Sequence, residues 1–169
     1  MAEYEIITHP DPFLRRKAKK VTSFDKDFQA LIEDMFNIMR EAPGVGLAAP
    51  QIGVSQRIVV VEYADPDIED AKPKTFVLVN PEITSHSEET TEDLEGCPSV
   101  PGLVGMVERW DAVTVKAQNR HGKSVKIKAD GWLARIFQHE MDHLDGVLYI
   151  DKATEVFEPT PEEAAQIRD

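Results

Sequence analysis

The chain has 169 residues, 41% of them apolar, so it can bury one sizeable core and is predicted to form a single domain. No apolar run is long enough to cross a membrane, and residues 1–5 lack the features of a secretory signal. The net charge of -12 argues against direct nucleic-acid binding. The single cysteine cannot form an internal disulfide, which fits a reducing compartment and favours a cytoplasmic location.

The first predicted helix covers residues 25–40. Its apolar side chains recur three or four residues apart and form one stripe, which is typical of a helix that packs on a core. Thr22 and Asp25 fit a capping box at its start. The members of the stripe are Phe28, Leu31, Ile32, Met35, Phe36 and Met39.

Four strands are predicted after the first helix. Residues 57–62 and 75–80 are runs rich in β-branched side chains between turn signals. Residues 112–117 and 123–128 alternate apolar with polar side chains, and residues 119–122 are predicted to form the hairpin turn between them.

The C-terminal part begins with a second predicted helix. Asp130 is its candidate N-cap, and Gly146 lies just past its end. The apolar residues 147–150 are predicted to form a short strand, and a weak helix is predicted over residues 162–167.

Strands and helices are segregated along the sequence, so the predicted fold class is α+β with antiparallel or mixed β-sheets. We predict that residues 1–151 form the folded domain. Residues 152–169 form an acidic tail interrupted by proline.

The second helix contains the pattern His-Glu-x-x-His, formed by His139, Glu140 and His143. Residues four apart lie on the same helix face, so both imidazoles can reach one metal ion. Glu140 would then lie beside the ion, where a carboxylate can take a proton from water. The alternative is an ordinary amphipathic helix with two surface histidines.

Two features of the neighbouring sequence favour the metal site. Trp132, Arg135 and Ile136 lie on roughly the same helix face as His139, which predicts a sheltered, apolar surface next to it. Asp142 and Asp145 offer carboxylates that could orient a ligand imidazole. Either aspartate could equally be a solvated helix residue.

A third ligand is needed, because a catalytic zinc-type site uses three protein ligands and leaves one position for water. Glu155 and Glu158 lie downstream, as in zincin proteases, but in a polar tail with nothing apparent to hold them. Cys97 lies in the segment 95–99, which looks like a tight turn rather than a buried strand. That setting favours a ligand over the usual alternative, a small buried hydrophobic side chain.

The glycine-rich segment 44–53 is a third candidate element. Its glycines allow close approach of the backbone, and its only side-chain amide, Gln51, can donate a hydrogen bond to a developing oxyanion. The alternative is a simple glycine-rich loop after a helix.

Together these three segments resemble the signature motifs of the peptide deformylases. The family pattern Gly-x-Gly-x-Ala-Ala-x-Gln matches residues 44–51, Glu-Gly-Cys-x-Ser matches residues 95–99, and Gln-His-Glu-x-Asp-His matches residues 138–143. The order of the motifs agrees as well. The resemblance implies that the sheets of the α+β fold pack around a central metal-binding helix.

The resemblance implies Cys97, His139 and His143 as ligands of one divalent metal ion. In the family this ion is usually Fe(II), and Zn, Ni or Co can replace it. Glu140 would be the general acid and base, and Gln51 an oxyanion donor. The implied reaction is hydrolysis of the N-formyl group of the N-terminal formylmethionine, with release of formate.

By the same analogy, the substrates are N-formylmethionyl nascent peptides, met transiently near the ribosome. The substrate backbone would add like a strand between Val45-Gly46 on one side and Gly96 on the other. The methionine side chain would enter an apolar pocket lined by Val45, Trp132 and Ile136. The acidic tail, by contrast, should be repelled by RNA.

Two residues near the cysteine carry further hypotheses. Pro98 departs from the family's usual oxyanion hole, because the residue after the cysteine normally donates its backbone N–H and proline has none. Arg109 is predicted to pair with Glu95 and hold the cysteine turn. The alternative for Arg109 is a surface arginine on a strand.

Two other classes of function remain open at this stage. An HExxH metalloprotease would cleave internal peptide bonds and would not depend on Cys97. A non-catalytic metal binder near the ribosome would keep the ligands without turnover, and Pro98 is the only feature that points that way.

Overall fold

The computed structural model describes residues 3–167, which form two antiparallel sheets and several helices. The helices are α1 (Lys26–Glu41), α2 (Gly131–Leu144), α3 (Tyr149–Lys152) and α4 (Pro161–Gln166), with 3₁₀ turns at Pro12–Arg15 and Ala49–Ile52. The strands are β1 (Gly46–Ala48), β2 (Ile58–Tyr63), β3 (Lys74–His86), β4 (Thr90–Cys97), β5 (Val100–Trp110), β6 (Ala112–Gln118), β7 (Ser124–Asp130) and β8 (Glu155–Phe157).

The larger sheet has the strand order β1-β2-β3-β6-β7, and the smaller sheet has the order β4-β5-β8. β1 and β4 are therefore edge strands, and no strand within residues 3–167 pairs with their outer edges. The helix α2 contacts strands of both sheets. The predicted α+β class, with sheets packed around this helix, is confirmed.

Both faces of the larger sheet are covered at β2. Successive side chains of this strand point to opposite faces and pack into two different apolar clusters. Val59 and Val61 pack with the apolar side of α2, whereas Ile58 and Val60 pack with the stripe of α1. All four valine and isoleucine side chains have 0% exposure. The larger sheet thus packs against α2 with one face and against α1 with the other.

The sequence predicted the ends of both long helices to within one or two residues, but it predicted the wrong N-cap for α1. The helix α1 begins with Asp25 as N-cap, whose side chain accepts a hydrogen bond from Phe28 N at 3.0 Å. The predicted capping box, with Thr22 as the cap, was therefore wrong by one turn. Asp130 is the N-cap residue of α2, and Gly146 follows the helix with a φ of 75°.

Residues 147–150 do not form the predicted strand. Leu148 and Tyr149 are buried at the start of α3, with 1% and 2% exposure. A short apolar run fits a buried helical turn as well as a strand, so periodicity alone could not separate the two.

The tail is more ordered than its composition indicated. Its first residues form β8, which pairs with Val104–Met106 of β5, and the predicted weak helix is present as α4. The boundary between residues 151 and 152 stays a prediction. Residues 1–2 and 168–169, which the two predicted ranges include, lie outside the described part of the chain.

None of the helices in residues 3–167 has the length and apolar character needed to cross a bilayer.

Candidate metal centre

The structure brings the three predicted ligands together. One donor atom each from Cys97, His139 and His143 lies within 4.8 Å of the other two, and all three residues are buried. Cys97 Sγ is 3.5 Å from His143 Nε2. Donor atoms that lie about 2.0–2.3 Å from a shared ion have separations of this order. The cluster therefore fits a single divalent metal ion.

Two elements of the fold position these ligands. His139 and His143 lie one helical turn apart on α2, with ring centroids separated by 5.3 Å. Cys97 is the last residue of β4, in the smaller sheet. The ligands thus come from the helix held by the larger sheet and from an edge strand of the smaller one.

The predicted tight turn is present only at residues 98–99, and the residues before it belong to a strand. Residues Glu95 to Cys97 form the buried end of β4, and Ser99 has 0% exposure. The interpretation of this segment as unlike a buried strand was wrong. Its polar residues are buried because each finds a partner at the site, which the local sequence cannot show.

The carboxylate that orients a ligand imidazole is Glu95. His139 Nδ1 lies 2.8 Å from Glu95 Oε1, so Nε2 is the nitrogen directed to serve as the ligand. The expectation that Asp142 or Asp145 would do this was wrong. Asp142 instead accepts a hydrogen bond from Arg109, and Asp145 forms an ion pair with Arg57.

Two arginines hold Glu95 in place. Arg109 donates to both of its oxygens at 2.8 and 2.9 Å, as expected from the sequence. Arg135 donates to Glu95 Oε2 at 2.6 Å and to the carbonyl of Val107 at 2.9 Å. Arg135 therefore belongs to a buried ion network and not to an apolar surface, contrary to the prediction. Its spacing of four residues from His139 was the signal available in the sequence.

These contacts set the charges around the centre. Burial raises the pKa of Glu95, but hydrogen bonds from Arg109 and His139 outweigh burial and hold that pKa well below its usual range. Burial, together with the charges of His139 and Arg109, lowers the pKa of His143 well below its usual value. His143 is thus neutral near pH 7, which is the form that binds metal ions.

Gln51 and Glu140 flank the ligands. The Gln51 amide nitrogen lies 3.4 Å from Cys97 Sγ and 3.1 Å from Ser99 Oγ, and its oxygen accepts a hydrogen bond from Ala48 N. Glu140 has 2% exposure. A Cβ added to Gly46 would lie 2.8 Å from both Cγ and Oε2 of Glu140. The absence of a side chain at Gly46 therefore makes room for Glu140.

The residues predicted to bind substrate lie on β4, on α2 and at the start of β1. Val45 precedes β1 and packs against the core cluster that contains Ile136, which has 1% exposure. Gly96 immediately precedes Cys97 on β4. Trp132 is half-buried on α2, with the Arg135 guanidinium 5.7 Å from its ring centroid.

Two other regions lie apart from the chemistry. The exposed Glu155 lies on β8, and neither it nor Glu158 belongs to the ligand cluster, so no described residue of the tail acts as a third ligand.

A groove of about 890 Å³ lies beside the β2–β3 connection and is lined by residues such as Tyr63 and Phe76. It contains none of the predicted site residues.

A thiol and two imidazoles that leave one ligand position open, with a carboxylate and an amide beside them, are typical of mononuclear metallohydrolases. Comparison with protein families narrows this class. The family described as "Polypeptide deformylase" matches residues 3–157. The chain belongs to the polypeptide deformylase family.

Individual relatives agree over nearly the whole chain. A peptide deformylase from Natranaerobius thermophilus is 50% identical over 157 residues, which cover 93% of this chain and 96% of the relative. The crystal structure of the Thermotoga maritima peptide deformylase has a TM-score of 0.82 at 41% identity, covering 92% of this chain and 100% of the other. The Synechococcus elongatus peptide deformylase in complex with actinonin has a TM-score of 0.83 at 37% identity, covering 92% and 84%.

Proposed function

We propose that this chain is a metal-dependent hydrolase that removes the N-formyl group from the formylmethionine of nascent polypeptides and releases formate. The observation that carries this function is the buried cluster of Cys97, His139 and His143, flanked by Glu140 and Gln51. We further propose that one divalent ion occupies the cluster, Fe(II) in the cell, with Zn, Ni or Co as possible replacements. The proposed place of action is the cytoplasm, close to the ribosome.

The two sheet edges that no strand pairs with in residues 3–167 support a peptide substrate. β1 ends one sheet and β4 ends the other, and each contributes a glycine next to the centre, Gly46 and Gly96. An extended peptide can add to such edges through its backbone hydrogen bonds. The main chain of the substrate would then lead its N-terminal formyl group to the metal ligands.

The methionine side chain is assigned to the apolar side of α2. Ile136 and Val45 belong to, or pack on, the same apolar cluster, and Trp132 lies one turn before Ile136. An unbranched thioether fills irregular apolar space well. These three residues are proposed to bind the methionine.

Each polar group of this site has a proposed role in the reaction. A bound divalent ion would polarise the formyl carbonyl and lower the pKa of a coordinated water. Glu140, held beside Gly46, accepts the proton of the attacking water and then donates it to the departing amine. The Gln51 amide nitrogen, already directed at Cys97 and Ser99, donates to the oxyanion that forms.

The function is tested with formyl-Met-Ala-Ser and protein purified anaerobically with iron. We expect formate release from the wild type, none from the Glu140→Ala variant, and no cleavage of a peptide that offers only internal bonds. If the wild type binds one metal ion but releases no formate, the function is wrong and the non-catalytic alternative is favoured.

The Gly46→Ala variant should lose activity while it retains metal. The added Cβ would lie 2.8 Å from Glu140 Cγ, so the carboxylate must shift, and a displacement of about 1 Å can cost roughly 10²-fold in rate. Steady-state kinetics and metal analysis test this. The control is Gly102→Ala, where the added Cβ meets nothing within 4 Å. Its φ of 80° is strained for alanine, so thermal unfolding of both variants is recorded, and equal kinetics in the two would contradict the prediction.

The Pro98→Leu variant should have a higher kcat/KM, because it restores a backbone N–H after the cysteine. The gain should be smaller than the roughly 10²- to 10³-fold cost of losing such a donor in another enzyme, since the metal already polarises the carbonyl. Pro101→Ala, at an exposed position of β5, is the control. An unchanged or lower kcat/KM for Pro98→Leu would show that no donor is missing.

A further inference from the structure

We propose that Ile167, the last residue that the structure describes, is a specificity-determining residue: it contacts an apolar side chain of the substrate downstream of the formylmethionine. This inference rests on the proposed function and extends it to a part of the tail that lies outside the three sequence motifs.

The tail reaches the site through two ordered segments. β8 pairs with β5, where Phe157 lies opposite Val104. Thr160 is the N-cap of the helix α4. Its hydroxyl accepts a hydrogen bond from Glu163 N at 3.2 Å, and the Glu163 carboxylate accepts one from Thr160 N at 2.9 Å. The Ile167 amide continues this turn by bonding to Ala164 O. The position of Ile167 therefore follows from a strand pair and a capped helix.

The side chain of Ile167 packs over Gly96, the residue that precedes Cys97. A Cβ built on Gly96 would lie 3.1 Å from Ile167 Cγ2 and 3.6 Å from Val104 Cγ1. The space that a side chain at position 96 would occupy is thus filled by two apolar side chains. Ile167 is half-buried in this position.

This contact is on the face of β4, not on its edge. Successive side chains of a strand point to opposite faces, and Glu95, the neighbour of Gly96, points into the buried ion network. Ile167 therefore lies on the opposite face of the smaller sheet. Backbone hydrogen bonds to an added strand lie in the plane of the sheet, at right angles to the direction in which side chains project, so Ile167 leaves the edge of β4 open.

The geometry of strand pairing then indicates what Ile167 contacts. Residues directly opposite each other on paired strands project their side chains to the same face. Since Gly96 has no side chain, the substrate residue paired with it would project beside Ile167 and Val104. Both are apolar, and no charge of the ion network lies on this face of Gly96, so an apolar substrate side chain is favoured. Gly96 precedes the ligand Cys97, so this residue follows the formylmethionine.

The experiment compares formyl-Met-Ala-Ser with peptides that carry leucine in place of alanine or of serine, and with formyl-Met-Ala-Ser-Ser and formyl-Met-Ala-Ser-Leu. The iron-loaded wild type, Ile167→Ser and Val156→Ser are assayed with each peptide. Val156 is the matched control, because it is an apolar residue of the same tail, is 41% exposed and lies opposite Gly105. Thermal unfolding of all three proteins is recorded alongside.

We expect the wild type to prefer leucine over the small residue at one of these positions by about 3- to 10-fold in kcat/KM, as partial burial of one apolar side chain predicts. Ile167→Ser should abolish this preference by raising KM for the preferred leucine peptide. Val156→Ser should retain it.

Four outcomes would overturn the inference. A preference that survives in Ile167→Ser removes the assigned contact. Faster turnover of formyl-Met-Ala-Ser by Ile167→Ser would mean that the tail obstructs the cleft instead of contributing to it. Equal losses in Ile167→Ser and Val156→Ser, with matching losses of thermal stability, would reduce the role of Ile167 to folding. If the wild type releases no formate from any peptide, the proposed function itself fails, and this inference fails with it.

Discussion

Replacement of Glu140 by glutamine is expected to lower kcat for formyl-Met-Ala-Ser by about 10²- to 10⁴-fold, the usual contribution of a general acid and base. Glutamine has nearly the same shape as glutamate, so packing against Gly46 should survive. It cannot accept the proton of the attacking water. The three proposed metal ligands are untouched, so the variant should bind as much metal as the wild type.

Formate release and metal analysis on the same preparation test this expectation. Glu33→Gln is the control, because Glu33 is an exposed residue of α1 that pairs with Arg120 and does not belong to the ligand cluster. Its kcat should match that of the wild type. Retention of activity within about threefold by Glu140→Gln would assign proton transfer to another group and remove the role given to Glu140.

Replacement of Glu95 by glutamine should affect stability and metal binding at once. Glu95 has 1% exposure and is the counter-charge of both Arg109 and Arg135. Loss of one partner of a buried ion pair costs about 3–5 kcal/mol, since the remaining charge stays buried. His139 would also lose the carboxylate that orients it, which should weaken metal affinity by about 10- to 100-fold.

Denaturant unfolding of the metal-free protein and a metal competition titration separate these two effects. Asp151→Asn is the matched control, because Asp151 forms an ion pair with Arg15 in which both side chains are more than one third exposed. Its loss should change the free energy of unfolding by less than about 1 kcal/mol. A loss of that size for Glu95→Gln would show that other groups compensate the two arginines.

Much of the site could be predicted because its residues belong to local patterns. His139, Glu140 and His143 lie within five residues on an amphipathic helix, and helical periodicity is a strong signal. The extents of the two long helices could be predicted for the same reason, because both have helical periodicity. The single cysteine was the only thiol available as a ligand.

The hairpin that carries the cysteine could not be predicted in this way. β4 contains Thr90, Thr91, Glu92, Asp93 and Glu95, which do not resemble a strand with a buried end. Its burial depends on arginines distant in sequence: Arg135 lies 40 residues from Glu95, and Arg109 lies 14. Such pairings depend on the assembled sheets.

The tail shows the same limit. Ile167 has no pattern that links it to Gly96, and only the pairing of β8 with β5 brings the two segments together. Likewise, the role of Ser99 as a hydrogen-bond partner of Gln51 depends on a contact across 48 residues.

The placement of the proposed ligands on separate parts of the fold would make folding depend on metal supply. Cys97 belongs to the smaller sheet, whereas His139 and His143 belong to the helix packed on the larger one. An ion bound by all three would act as a cross-link between these two parts. Because it binds only the folded chain, it would stabilise that chain by RT ln(1 + [M]/Kd). A cell starved of the ion would therefore hold less of this protein, through unfolding and proteolysis, as well as a less active one.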